Sequence, residues 1–473
     1  MPEQRLDSHI PDDGNEYLFT DTFPKGTGKG LIVVAIAAII SIVIYNVLPY
    51  DINANKGLAV LFFIGVLWLT EAIHVTITAI LVVVVGALVG IPEFDAKIGL
   101  ESFANPIIYL FFGGFALAAA LHVQQLDRKI ALKILSMSGG KLGTAVYLIF
   151  GVTAFLSMWI SNTATAAMML PLALGILTQV DREQDRGTFV FVLLGIAYSA
   201  SLGGLGTIVG SPPNAIAADA LGIAFVDWMK FGVPMMIVLL PVLLAAMYFV
   251  LKPNLNRTIA LTQDKPIEWN KPRIVTIIIF VLTALSWILS KQIGAALGIT
   301  DTDAVIALVA AAAVVSCGLV SWKQVSDNTD WGVLMLFGGG IALSTILKVS
   351  GASLVLGQTV ANALATAPLI LVMIAVSAFI IFLTEFASNT ASAALLVPVF
   401  AAIAEQMGVP TEVLVLIIGI GASCAFMLPV ATPPNAIVFG TGLIKQSEMV
   451  RVGVVLNIIA TFIVGLWAYF FLM

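Results

Sequence analysis

Charge is scarce in this sequence: Asp, Glu, Lys and Arg together make up 10% of its 473 residues, against 60% apolar residues. A water-soluble globular protein of this length carries a far richer charged surface, so that class is excluded. Histidine and cysteine are rarer still, with three and two residues. Cys317 and Cys424 stand in apolar runs, offer neither a metal-ligand spacing nor a disulfide framework, and read as packing residues. There is no His-Glu-x-x-His, Ser/His or paired-Asp constellation, which leaves an intramembrane enzyme without a catalytic centre. The net charge of −5 is spread over loops and provides no surface for nucleic acid. The first 28 residues are polar and lack the short apolar core and cleavage pattern of a signal peptide, so they are expected to remain as a cytoplasmic segment.

What fills the sequence instead is a succession of apolar runs long enough to cross a hydrocarbon core of about 30 Å. The expected fold is an all-α polytopic membrane protein. Spans are predicted at about 30–50, 57–72, 74–92 and 104–124, followed by paired shorter helices at 142–160 and 163–180, a broken span at 188–225 and a span at 229–251. A polar linker, Lys252 to Arg273, separates the halves. Spans at 274–296, 302–320 and 331–350 follow, then a second helix pair (367–404), a second broken span (411–442) and a last span (450–472).

The two halves repeat one another. Ser161-Asn-Thr-Ala-Thr-Ala-Ala-Met-Met-Leu-Pro171 returns as Ser388-Asn-Thr-Ala-Ser-Ala-Ala-Leu-Leu-Val-Pro398, matching at seven of eleven positions. Val209-Gly-Ser-Pro-Pro-Asn-Ala-Ile216 returns as Val430-Ala-Thr-Pro-Pro-Asn-Ala-Ile437, and Phe112-Gly-Gly as Phe337-Gly-Gly, at offsets of 221 and 225 against 227 for the first pair. If each Ser-Asn-Thr is the tip of a re-entrant hairpin, each repeat has five true crossings, and an odd number inverts the second copy. The expectation is therefore an extra first span (29–56), repeat 1 (57–252), a linker (253–273) and repeat 2 (274–473), with eleven spans in all. Positive charge agrees: with the N-terminus inside, only Lys56, Lys97, Lys230, Lys291 and Lys348 of the 22 Lys and Arg residues fall outside.

Polar breaks duplicated within apolar surroundings mark the binding site of a secondary transporter. Ser161 and Asn162, like Ser388 and Asn389, can cap the helix behind them while leaving amide N–H groups free for a ligand. Pro212 and Pro213 cannot donate backbone hydrogen bonds, which frees carbonyls near Ile208 to Gly210 as hard oxygen ligands for a small cation. The second copy can do the same around Ala431. No Lys or Arg occurs from Leu142 to Asp181, Gly187 to Met229 or Val349 to Ile444. An anion held there must be met by amides, hydroxyls, helix dipoles and a co-bound cation, which makes sodium part of the expected site. Glu385, just before the second tip, is expected to stabilise the tip or face water, and is the one carboxylate a sodium/proton antiporter could use. Glu71 and His74 read as interfacial, His122 as a polar cap, and the Phe-Gly-Gly pairs as close helix crossings.

With its paired Ser-Asn-Thr tips and the Ser-Pro-Pro-Asn and Thr-Pro-Pro-Asn segments behind them, the chain from about residue 30 onward resembles the divalent anion/sodium symporter family, and within it the bacterial INDY-type sodium-dependent dicarboxylate carriers. The resemblance implies a homodimer in a bacterial inner membrane, surrounded by lipid, with a scaffold domain and an elevator-type transport domain. It implies at least two Na+ per protomer, one at Ser157, Ser161, Asn162 and Gly210 and one at Thr384, Ala387, Asn389 and Ala431. The substrate, a C4-dicarboxylate such as succinate, malate or fumarate, with citrate or sulfate and exchange in place of symport as alternatives, would meet Asn162, Thr163, Ser211, Ser388, Asn389, Thr390, Thr432 and Pro433.

Overall fold

The computed structural model describes residues 27–259 and 267–473, and these are helical throughout, with one isolated bridge between Lys141 and Thr258. Arg5, Lys25, Lys265 and most of the N-terminal segment lie outside the described residues. The first half runs through α1 (Thr27–Val47), α2 (Ile52–Thr70), α3 (Val75–Val89), α4 (Ala96–Glu101), α5 (Pro106–Val123) and α6 (Leu126–Leu135). Then come the paired α7 (Leu142–Ser157) and α8 (Asn162–Leu177), α9 (Arg186–Gly203), α10 (Pro212–Leu221) and α11 (Phe225–Leu251). The second half has α12 (Lys271–Ile288), α13 (Ser290–Leu297), α14 (Thr302–Ser316), α15 (Trp322–Asn328), α16 (Trp331–Val349) and α17 (Ala352–Leu364). It ends with the paired α18 (Leu369–Leu383) and α19 (Asn389–Met407), then α20 (Thr411–Gly421), α21 (Pro433–Gly440) and α22 (Gln446–Phe471).

From α3 onward each helix of the first half has a counterpart 221 to 227 residues later: α3 with α14, α4 with α15, and so on to α11 with α22. Packing is reciprocal as well. Helix α5 lies on α14 and α16 on α3; α10 lies on α19 and α21 on α8; α9 meets α21 and α20 meets α10. Each half completes the other. Glycine permits the closest crossings, because lipid tails are as apolar as the helices and association depends on backbones approaching. A Cβ at Gly113 would stand 2.5 Å from the Ala307 carbonyl oxygen, and one at Gly339 2.6 Å from the Ala79 side chain.

Among the described residues nine helices are long and apolar enough to cross a membrane. Burial is graded: the span beginning at Arg186 is wholly enclosed, whereas α1 is 11% buried and lies at the periphery. The broken helices α9–α10 and α20–α21 thus form the centre of the molecule. Several sequence expectations need correction. The span predicted over 274–296 is interrupted at Leu289, and α13 meets α14 at 96°. Residues 126–135 and 352–364, left as connections, are helices. Cys424 is buried, but Cys317 is exposed and does not pack.

Candidate functional site

Each paired helix turns where its sequence stops supplying helix and starts supplying caps. Ser161 Oγ accepts the Ala164 N–H at 3.3 Å, and Ser388 Oγ accepts the Ala391 N–H at 3.4 Å. Capping one amide leaves the neighbouring first-turn N–H groups at the positive end of the helix, where negative charge is favoured.

The breaks are held open by the asparagine that follows each proline pair. Asn214 Nδ2 donates to the carbonyls of Gly204 and Thr207, both at 2.8 Å. Asn435 Nδ2 donates to Ala425 at 3.1 Å and Leu428 at 3.0 Å. The spacing, ten and seven residues back, is the same in both copies. Each side chain ties together two carbonyls of the irregular segment, upstream of the positions (Ile208 and Val209, Pro429 and Val430) that the prolines leave without an N–H. Both asparagines were in the motif, but spacing alone did not reveal that they face backward.

The halves differ in how the break is tied to the tip. Glu385, fully buried, accepts N–H groups of Phe426 (2.7 Å), Met427 (2.9 Å) and Leu428 (3.0 Å), and the Asn457 amide at 2.7 Å. Its role is to stabilise the tip; it does not face water. The corresponding positions of the first half hold Met158 and Met236. There, Thr207 Oγ1 donates to the Met158 carbonyl and accepts the Gly210 N–H at 3.2 Å.

One cavity of about 640 Å³ is lined by both tips and both breaks. Asn162, Thr163, Ser211, Ser388, Asn389, Thr390, Thr432 and Pro433 all line it, as do Ser161, Gly210 and Ala431. Ser157, Thr384 and Ala387 are not in its wall; they are buried, and Ser157 and Thr384 belong to the last turns before the tips. The two breaks touch through Ser211 and Ser423, whose Oγ atoms are 3.1 Å apart. Among the described residues no Lys or Arg lines the cavity. The turn between α2 and α3 (Glu71, His74), the end of α15 (Asp327) and the turn after it (Asp330) also line the cavity. Three carboxylates therefore share it with the tips. Reading Glu71 and His74 as interfacial misses this, because no sequence signal brings residue 71 next to residue 330.

Oxygen atoms converge behind the first tip. Asn162 Oδ1 lies 2.6 Å from Ser157 Oγ, 3.0 Å from the Ala200 carbonyl oxygen and 3.2 Å from that of Gly210. An amide oxygen facing two carbonyls is unfavourable unless the amide turns over to donate from Nδ2, or a small cation lies among the oxygens. At the second tip Asn389 Oδ1 is buried without a hydrogen-bond partner. With its amide oxygen turned inward the first arrangement is a hard-oxygen set of the kind that suits an alkali cation, and with Nδ2 turned inward it is a closed hydrogen-bond cluster; the second offers one unpartnered amide oxygen. The Ala200 carbonyl is an addition to the expected set. A Cβ at Gly204 would stand 2.5 Å from Asn162 Oδ1 and 2.8 Å from the Gly210 carbonyl oxygen, so glycine there keeps the cluster open.

Comparison with known proteins agrees with this architecture. A transporter of Haemophilus influenzae, itself described only as uncharacterised, is 54% identical over 451 residues, covering 94% of this chain and 97% of the relative. The sodium-dependent dicarboxylate transporter SdcS of Staphylococcus saprophyticus is 32% identical over 487 residues, covering 95% and 92%. Among solved structures, the YdaH transporter of Alcanivorax borkumensis superposes with a TM-score of 0.57 at 12% identity, covering 94% of this chain and 99% of that one, a likeness of fold. The description "Sodium:sulfate symporter transmembrane region" matches residues 28–473. With tips, breaks and a single cavity between them, and with that match over nearly its whole length, the chain belongs to the sodium:sulfate symporter family, the divalent anion/sodium symporters, and is a transporter.

Proposed function

We propose that this protein is a sodium-coupled symporter that brings C4-dicarboxylates into the cell. The observation that carries the reading is the single cavity shared by both tips and both breaks with no Lys or Arg in its wall. A dianion there finds hydroxyls, amides and helix N-termini, and needs cations to offset its charge. In this reading Na+ at the first tip is held by Ser157, Ser161, Asn162 and Gly210, and at the second by Thr384, Ala387, Asn389 and Ala431. The carboxylates meet Asn162, Thr163 and Ser211 on one side, and Ser388, Asn389, Thr390, Thr432 and Pro433 on the other.

Asn162 and Asn389 contact both ion and substrate in this scheme, which is the physical route of coupling. Sodium fixes each tip, and the fixed tip presents its amides to the dianion. The protein works as a homodimer in a bacterial plasma membrane with its N-terminus inside; the second repeat is inverted, and the domain carrying tips and breaks slides against the scaffold. Glu385 spends both oxygens on N–H groups and does not line the cavity, so the carboxylate that the sequence offered a sodium/proton antiporter is engaged elsewhere; those that line the cavity are Glu71, Asp327 and Asp330.

The test is uptake of radiolabelled succinate into proteoliposomes with inward sodium or potassium gradients, with citrate and sulfate as competitors. Sodium-dependent accumulation, largely abolished in Asn162→Ala and Asn389→Ala, is expected. Equal uptake in potassium would refute the proposal.

A further inference from the structure

Helices α6 and α17 are the same element of the repeat, yet they differ in charge. Helix α6, Leu126-Asp-Arg-Lys-Ile-Ala-Leu-Lys-Ile-Leu135, carries three basic residues and one acid, whereas α17, Ala352 to Leu364, carries no charged residue. The acid of α6 is withdrawn from the surface: Asp127 is 4% exposed and lies 3.0 Å from His122 Nδ1. Support differs too. Helix α17 is seated on α19 and α2, whereas α6 packs chiefly on its chain neighbours α5 and α7. Since α17 folds without lysine, the lysines of α6 serve something met by one of the two helices only.

Helix α12 fixes where this face of α6 lies in the bilayer. Ile274, Ile278, Val281, Leu282 and Leu285 are all exposed, as side chains that face lipid tails are. Five residues before Ile274, Trp269 is 58% exposed, and Lys129 Nζ lies over its ring, 4.4 Å from the centroid. An exposed indole at the head of a lipid-facing helix marks the level where hydrocarbon gives way to headgroups. Lys133 follows Lys129 by one helical turn and is exposed, as is Lys271, two residues beyond Trp269. Glu268 is an exposed carboxylate next to Trp269, so cations remain in excess.

We propose that Lys129, Lys133, Lys271 and Trp269 form a binding surface for anionic phospholipid headgroups of the cytoplasmic leaflet. The inference rests on the orientation proposed above, with the N-terminus inside, which puts α6 on that leaflet and α17 on the opposite one. Anionic lipid attracts basic side chains at the headgroup level, and only α6 has them to offer. Because α6 joins α5 to the hairpin that carries the first tip, lipid held here anchors the start of that hairpin at the membrane surface. Lysine also gathers on the cytoplasmic side through insertion alone, and that origin predicts no preference among lipids.

The experiment reconstitutes the full chain in phosphatidylcholine vesicles that contain either brominated phosphatidylglycerol or brominated phosphatidylcholine. The quenching lost on Trp269→Phe isolates Trp269 from the other tryptophans. Phosphatidylglycerol is expected to quench Trp269 several-fold more strongly at equal mole fraction. Lys133→Gln should lower that preference about fivefold, as one lysine at an anionic surface predicts, and high salt should lower it as well. Lys323→Gln, which removes an exposed lysine of α15, should change it less than twofold. Equal quenching by the two lipids, as when an acidic soluble protein is the true occupant, overturns the assignment; so does indifference to Lys133→Gln or an equal response to Lys323→Gln. The orientation is read separately: an epitope at the N-terminus is expected to meet antibody only in opened cells, and staining of intact cells would overturn the cytoplasmic placement whatever the lipid preference.

Discussion

Gly204→Ala isolates the oxygen cluster behind the first tip from everything around it. The backbone there is right-handed helical, φ −56° and ψ −22°, so alanine introduces no conformational strain. The new methyl meets Asn162 Oδ1 at 2.5 Å, the Gly210 carbonyl oxygen at 2.8 Å and Asn162 Nδ2 at 3.0 Å. The first two contacts are well inside van der Waals separation, and both partners are proposed sodium ligands. To relieve the overlap Asn162 must swing away or the Gly210 carbonyl must retreat. A hydrogen bond or contact to a charged group is worth about 1.5–3 kcal/mol, so losing one ligand predicts a sodium half-saturation concentration raised about ten- to hundredfold. The assay is succinate uptake in proteoliposomes titrated with sodium at constant ionic strength, alongside thermal unfolding in detergent without sodium. The unfolding temperature should fall modestly, by the about 1–3 kcal/mol that overpacking costs, so the sodium titration is run below the onset of unfolding. The second break carries Ala425 and Ala431 where the first has Gly204 and Gly210, so Ala425→Gly should leave sodium dependence within a few-fold of the parent. A Gly204→Ala protein with an unchanged sodium titration would refute the steric reasoning.

Removing an asparagine staple should damage folding more than selectivity: Asn214→Ala or Asn435→Ala takes a donor from two carbonyls, of which Thr207 and Leu428 keep the N–H groups of Gly210 and Ala431, and is expected to cost about 1–3 kcal/mol, read as a lower unfolding temperature, and Asp cannot rescue because a carboxylate has no N–H to donate. The carboxylates that share the cavity with the tips should act at a distance. For unit charges roughly 10 Å apart in water the interaction is about 0.4 kcal/mol, so Glu71→Gln, Asp327→Asn and Asp330→Asn together are expected to lower the succinate half-saturation concentration about threefold at physiological salt, an effect lost at high ionic strength; a salt-independent change would contradict it. Arg186, which grips Glu448 through two nitrogens and the Leu443 carbonyl at 2.6 Å, should on change to Met lower stability by about 2 kcal/mol, seen in thermal unfolding, with sodium dependence retained.

How much of this was legible in the chain follows from whether the signal is local. The tips and breaks declare themselves because polar residues and proline pairs inside apolar runs have few other uses, and duplication multiplies that improbability. The set Asn162, Thr163, Ser211, Ser388, Asn389, Thr390, Thr432 and Pro433 meets in one cavity even though its members are as far as 271 residues apart, because the repeat supplies the missing long-range relation. The bend at Leu289 was hidden: no Pro or Gly stands at it, and the short polar step Ser290-Lys291-Gln292 just after it was absorbed into the span expected over 274–296. Helices α6 and α17 were hidden for the opposite reason, being polar or broken enough to pass for connections. The wall of Glu71, Asp327 and Asp330 depends on two turns from different halves meeting, and neither turn carries a motif.

The want of any fixed positive side chain around the cavity has a consequence for what the word ligand means here. A chamber furnished with arginine can hold a bare anion; on the proposed reading this one holds a salt, assembled inside it from counterions arriving with their cargo. Affinity for the organic partner is then not a constant of the protein but a function of the brine it sits in.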